Sequence, residues 1–171
     1  FILFNGGKPW ITEGGHQSYE LTGMTKFLRS PLAHNTYTLN GKYLLAYKSP
    51  ELETELTEVS QRGEEIVLAG FSERSLHPAT FERRIKVHDF SSIRIRDSVR
   101  SNDKEASWEG RFHFPPRLSV SVDGQIVTVK DGNGGQEMVL SFDADKPLTF
   151  STCHGQEKPI CGFATSANEF G

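Results

Sequence analysis

Apolar residues recur at every second position through much of this chain. Ile93 and Ile95 alternate with Arg94 and Arg96, and Leu118, Val120 and Val122 alternate with Ser119, Ser121 and Asp123. Met138, Leu140 and Phe142 are spaced by Val139 and Ser141, while Phe112 and Phe114 flank His113. A period of two belongs to half-buried strands, whose successive side chains point to opposite faces. Turn pairs punctuate the pattern at Asn40-Gly41, Asp123-Gly124, Asp131-Gly132 and Gly134-Gly135. Such pairs tolerate positive φ and close tight hairpins. Strands are expected near 34–40, 43–48, 64–71, 82–88, 92–99, 108–114, 117–122, 125–130, 137–142, 148–153 and 160–166. The predicted fold is all-β, an antiparallel β-sandwich of about 11–14 short strands with no substantial helix. Residues 16–33 are irregular, with at most one helical turn at Thr22–Leu28. A connection that long is often functional.

The 171 residues fit one domain, expected to span 1–171. The formal net charge of −3 argues against a dedicated nucleic-acid binder. No apolar run approaches the roughly 18 residues a membrane-spanning helix needs, so no membrane partner is expected. The charge is unevenly placed. Glu51, Glu53, Glu55, Glu58, Glu64 and Glu65 face only Arg62 in their stretch, whereas Arg83, Arg84, Lys86, Arg94, Arg96 and Arg100 cluster with Asp89 and Asp97. Arg94 and Arg96 share a strand face, which suits either an acidic neighbouring strand, the plainer expectation, or an anionic ligand. The first methionine is Met24, and Phe1–Asn5 already reads as strand. The chain is therefore expected to be a piece of a longer protein.

Cys153 and Cys161 flank a Gly- and Pro-bearing loop. Their spacing fits no zinc-ribbon or redox motif. Two free thiols are the preferred reading, with a hairpin disulfide, and hence an oxidising compartment, as the alternative. The six histidines form no His-x-x-x-His pair. Gly132-Asn133-Gly134-Gly135 is not followed by a helix, so it lacks the setting of a phosphate loop. Cys153 and His154, adjacent on a strand, would point apart and make a poor nucleophile–base pair.

The most informative stretch runs from Phe27 through Arg29-Ser30-Pro31-Leu32-Ala33-His34-Asn35-Thr36 to Asn40-Gly41, preceded by Asn5-Gly6-Gly7, Glu13-Gly14-Gly15 and Tyr19. It resembles the C-terminal β-domain of heparinase II/III-like polysaccharide lyases. That family carries a glycine-bearing strand, an acidic-Gly turn and a Tyr, then Arg-Ser/Thr-x-x-Ala-His-Asn-Thr and a strand into a Gly turn. Phe81-Glu82-Arg83-Arg84-Ile85 with Ile95-Arg96-Asp97, and Ser151–Gly155 with Pro159, match later family patterns more weakly.

The resemblance implies a β-domain packed on an upstream helical (α/α) toroid, with an acidic polysaccharide bound between them. It implies β-elimination on a uronate-containing glycan, with base and acid supplied by the toroid. No catalytic residue is then expected in this chain, which alone should be inactive. Arg29, His34 and Asn35 are the expected substrate-binding residues. The resemblance also implies a structural zinc on His34, with Glu51, His77 and Glu82 nearest the family's other ligand positions. The departures are visible: the acidic segment offers Glu51 or Glu53 but no Asp, and Glu82 stands where a second His is expected. Leu32 occupies the position of a substrate-facing His in some members. The implied setting is a periplasmic or secreted bacterial protein. A non-catalytic carbohydrate-binding or scaffolding module, or a family member in surface-polysaccharide assembly, is the alternative.

Overall fold

A computed structural model describes residues 1–15, 22–40, 52–62, 65–74, 79–88, 92–102, 104–133 and 135–162. Among them the chain is all-β, with one short helix, and every strand pair of described register is antiparallel. No helix among the described residues is long and apolar enough to cross a membrane. The expected strand at 43–48 and the end of that at 160–166 lie outside the described residues. By contacts the chain divides into two compact units, Phe1–Thr38 with Glu109–Gly171, and Leu39–Trp108.

The first unit opens with a hairpin of β1 (Leu3–Asn5) and β2 (Lys8–Ile11). Gly6 and Gly7, at φ 59° and 74°, make its turn. Helix α1 (Gly23–Leu28) and a 3-10 turn (Pro31–Ala33) lead into β3 (Tyr37–Leu39), which pairs with β8 (Trp108–Gly110). A meander of β9 (Leu118–Asp123), β10 (Ile126–Asp131) and β11 (Glu137–Ser141) follows. Its register sets Val129 opposite Val120 and Met138, and Val127 opposite Val122 and Leu140. The inward residues of this sheet meet Trp10 of β2, and Trp10, Leu118, Val127 and Val129 form the buried core. Phe112, Phe142 and Phe150 continue it in edge-to-face contacts of 5.9 and 5.1 Å, a favourable aromatic geometry.

No strand forms at 148–153. That segment is held instead by Phe150 against the core and by a disulfide from Cys153 to Cys161, with Cα atoms 6.1 Å apart. The two cysteines are thus bonded rather than free. The bond spans the small hairpin of β12 (Gln156–Glu157) and β13 (Ile160–Cys161). Gly162 must be glycine there: its φ is +72°, and a Cβ would stand 2.7 Å from the Cys153 carbonyl oxygen.

The second unit is one antiparallel sheet in the order β4 (Leu52–Arg62), β5 (Glu65–Arg74), β6 (Ala79–His88) and β7 (Ser92–Ser101). A bulge between Leu56 and Glu58 shifts the register of β4. On one face Phe81, Ile85 and Val87 of β6 lie opposite Val99, Ile95 and Ile93 of β7. Within it Arg83 holds Asp97 by two hydrogen bonds of 2.7 and 3.0 Å. The other face is charged, and there Arg84 reaches Glu58 of β4 at 2.6 Å.

Candidate functional site

The segment ending in His34-Asn35 is shaped by caps and apolar anchors. Thr22 caps α1, its hydroxyl accepting from the Thr25 amide at 3.1 Å, which satisfies a donor the helix leaves unpaired. Ser30 donates to the Phe27 carbonyl at 2.6 Å and accepts from the Leu32 amide at 3.3 Å. It thereby closes α1 and opens the 3-10 turn, where Pro31 suits the first position. Phe27, Leu28 and Ala33 are buried together against Met24, Leu32 and Ile160. His34 then leaves the turn in extended conformation, φ −125°, ψ 155°.

The strand before this segment supplies its partner. Thr12 donates its amide to the His113 carbonyl at 2.9 Å, and Gly14 donates to the Ala33 carbonyl at 2.8 Å. Glu13 is pinned between them. Its carboxylate accepts from His34 Nδ1 at 2.7 Å, from Asn35 Nδ2 at 2.8 Å and from the Phe1 amino group at 2.8 Å. Burial alone would raise the Glu13 pKa, but hydrogen bonds from His34 and Asn35, joined in this 171-residue chain by the bond and charge of its own terminal amino group, outweigh it and hold the pKa at about 2 rather than 4.5.

An ionised carboxylate only accepts hydrogen bonds, so Nδ1 of His34 carries the hydrogen. In the neutral imidazole Nε2 is then the nitrogen with the free lone pair. The His34 side chain is 41% exposed, so this nitrogen belongs to a group that solvent reaches.

Asn35 is 3% exposed and knits the frame. Its Nδ2 donates to the carbonyls of Phe1 at 2.9 Å and Thr12 at 2.6 Å as well as to Glu13, and its Oδ1 accepts from the His113 amide at 2.8 Å. Arg111 ties the same loop from beyond, donating to the Leu32 carbonyl at 3.3 Å. The His113 ring is mostly buried, which lowers its pKa; the Glu13 charge opposes that shift, while the Arg111 charge adds to it.

The expected site residues therefore take different roles. His34 and Asn35 are brought together, but Asn35 is spent on main-chain partners and holds the frame instead of meeting solvent. Arg29 is exposed at the end of α1. It is not the buried loop clamp that an arginine in such a segment often is. Glu51 and His77 lie outside the described residues, and Glu82 sits on β6 of the other unit. Among the described residues no three His, Cys, Asp or Glu side chains gather into a metal-sized cluster. The donors seen here do not by themselves make a zinc site, which needs about four ligands. Glu13 and His113 were not singled out from the sequence as site residues. The acidic-Gly turn was the only signal for Glu13, and nothing local marks His113.

Folding stability should depend on Glu13. Its folded pKa lies below its unfolded one, so its contribution is complete above pH 4.5 and is lost as pH falls toward 2. The shift corresponds to about 3 kcal/mol at neutral pH. Urea unfolding at pH 7 and pH 3 is expected to show about 2 kcal/mol of that loss in the native chain, since pH 3 lies above the folded pKa, and a much flatter profile in Glu13→Gln. Equal pH slopes in the two proteins would count against the network.

A family model described as heparinase II/III-like, C-terminal, matches residues 1–161. No curated protein and no solved structure matches the chain.

Proposed function

The chain belongs to the heparinase II/III-like family as a C-terminal domain, and from that premise we propose that it forms one wall of the substrate cleft of a polysaccharide lyase. The parent enzyme cleaves an acidic, uronate-containing glycan by β-elimination. The observation that supports this reading is the Glu13–His34 pair, which holds one imidazole in a fixed tautomer on a half-exposed side chain, in the segment that also carries exposed Arg29.

β-Elimination removes the proton α to the uronate carboxylate and expels the oxygen at the neighbouring β carbon. The developing negative charge must be met by fixed donors. Arg29 can grip a carboxylate or sulfate with its planar fork. His34 presents Nε2 as an acceptor for a sugar hydroxyl, oriented through Nδ1 by Glu13. The acid and base of the reaction come from the helical domain of the parent. Zinc on His34 is a separate proposal, in which Nε2 would bind the metal instead of a sugar hydroxyl; elemental analysis of the native chain and of His34→Ala tests it. A periplasmic or secreted location is proposed with the Cys153–Cys161 disulfide in support.

The test compares the chain with its parent on heparin, heparan sulfate and alginate, following the ultraviolet absorbance of the unsaturated uronate. The chain alone is expected to give none, and the parent to give turnover. In the parent, Arg29→Ala should raise KM by about tenfold with a smaller change in kcat. Turnover by the isolated chain, or a parent indifferent to Arg29, would refute the assignment.

A further inference from the structure

The charged face of the four-stranded sheet carries an arrangement that a sheet does not favour by itself. The register sets Arg84 of β6 directly opposite Arg96 of β7, and Lys86 directly opposite Arg94. Like charges placed directly opposite destabilise a strand pair. Arg100 continues the row on β7, on the same face by period two. The acidic residue within β7, Asp97, points to the other face and is held there by Arg83. By register the same face also carries Glu53, Glu55 and Glu58 of β4, Glu73 of β5 and Glu82 of β6; Glu58 is paired with Arg84, and Glu82 stands opposite Ser98. Arg94, Arg96 and Arg100 are exposed and make no ion pair with a described residue. The acidic stretch of β4 is separated from β6 by β5 and from β7 by β5 and β6, and its Glu58 reaches Arg84.

We propose that this face of β6 and β7 is an accessory binding surface for a linear anionic polysaccharide. It rests on the reading of the parent as a lyase of acidic glycans, and adds a place where the polymer is held apart from the His34 loop. Arg94 and Arg96 stand about 7 Å apart along β7 and about 5 Å from Lys86 and Arg84 across from them, and Arg100 lies about 13 Å past Arg96, beyond Ser98, so the row spans about 20 Å. A single small anion would use one or two of them. An extended chain with a carboxylate or sulfate on successive sugars uses the whole row. Four of the five cations are arginines, whose forks take both groups in a bidentate manner. β7 is an edge strand, and edge charges discourage pairing with other chains.

The test uses the purified chain and calorimetric titration at low salt with heparin, alginate, neutral dextran and single-stranded DNA. Heparin and alginate are expected to bind, dextran not. Replacing Arg94, Arg96 and Arg100 together by Gln should weaken both glycans about tenfold, three exposed pairs being worth roughly that much. Lys146→Gln should stay within about twofold of the native chain, since this exposed lysine lies outside the row and outside the His34 loop. Circular dichroism checks that the triple variant folds, and these exposed sites should allow it. A triple variant that binds like the native chain would overturn the proposal, as would a native chain that binds neither glycan. DNA binding as tight as the glycans would overturn the assignment to polysaccharide. None of these results depends on elimination by the parent, so intact turnover with a silent ladder would sink this inference alone.

Discussion

Asn35→Ala is expected to cost about 3–5 kcal/mol, the largest loss of any single polar substitution in the first unit. The amide joins residues 1, 12, 13 and 113 through bonds of 2.6 to 2.9 Å. Truncation leaves the Thr12 carbonyl and the His113 amide buried without the partner that satisfies them, and a lost partner costs more than the bond itself contributes. Asn35→Asp separates this from a simple packing loss. The introduced carboxyl keeps the acceptor for His113 but sets negative charge against two carbonyls and Glu13. Its pKa in the folded protein is therefore raised, and the variant should regain stability relative to native as pH falls and the group takes a proton. Thermal unfolding of the three proteins at pH 7 and pH 5 checks this. If Asn35→Ala lowered stability by less than about 1 kcal/mol, the frame described here would not be what positions His34.

Gly14→Ala is the second large effect, and it acts by contact alone. A Cβ at position 14 would stand 2.6 Å from the Ala33 Cβ and 2.8 Å from the Ala33 carbonyl oxygen. Neither atom is the end of a flexible side chain, and Ala33 is fully buried. The two backbones must move apart, stretching the Gly14–Ala33 hydrogen bond and drawing Glu13 away from His34. A loss of about 3 kcal/mol is expected, at the upper end for overpacking. Unfolding of Gly14→Ala within about 0.5 kcal/mol of native would show that the strand and the loop are not in close contact.

The strands that alternate cleanly were legible without coordinates. β9, β10 and β11 fall within a residue or two of the expected positions because their turns, at Asp123-Gly124 and Asp131-Gly132, are local chemistry. The family was also legible, from the Arg29–Thr36 segment. β4 was not expected as a strand. Glutamate is a poor strand former, and the bulge places Leu56 and Val59, three residues apart, on one face, which breaks the period by which a strand is recognised. The strand expected at 148–153 failed for the converse reason. Its alternation is real, but a disulfide and an aromatic contact hold it without a neighbour in the ladder. At the candidate site the loop and His34 could be read, and the network around them could not. Glu13 meets His34 across 21 residues and Asn35 meets His113 across 78. No local pattern encodes such pairings, and the arginine ladder became interpretable only once the register set like charges face to face.

The first unit is sewn from two stretches of chain, with residues 39–108 running out and back between them. Closing a detour of that kind carries an entropy that grows only with the logarithm of its length, so doubling it would add about 0.6 kcal/mol. The Asn35–His113 bond is among the contacts that close it. The closure cost borne by the first unit therefore depends little on how many residues stand between its two stretches, and the bonds that hold the imidazole of His34 are made by residues outside that interval.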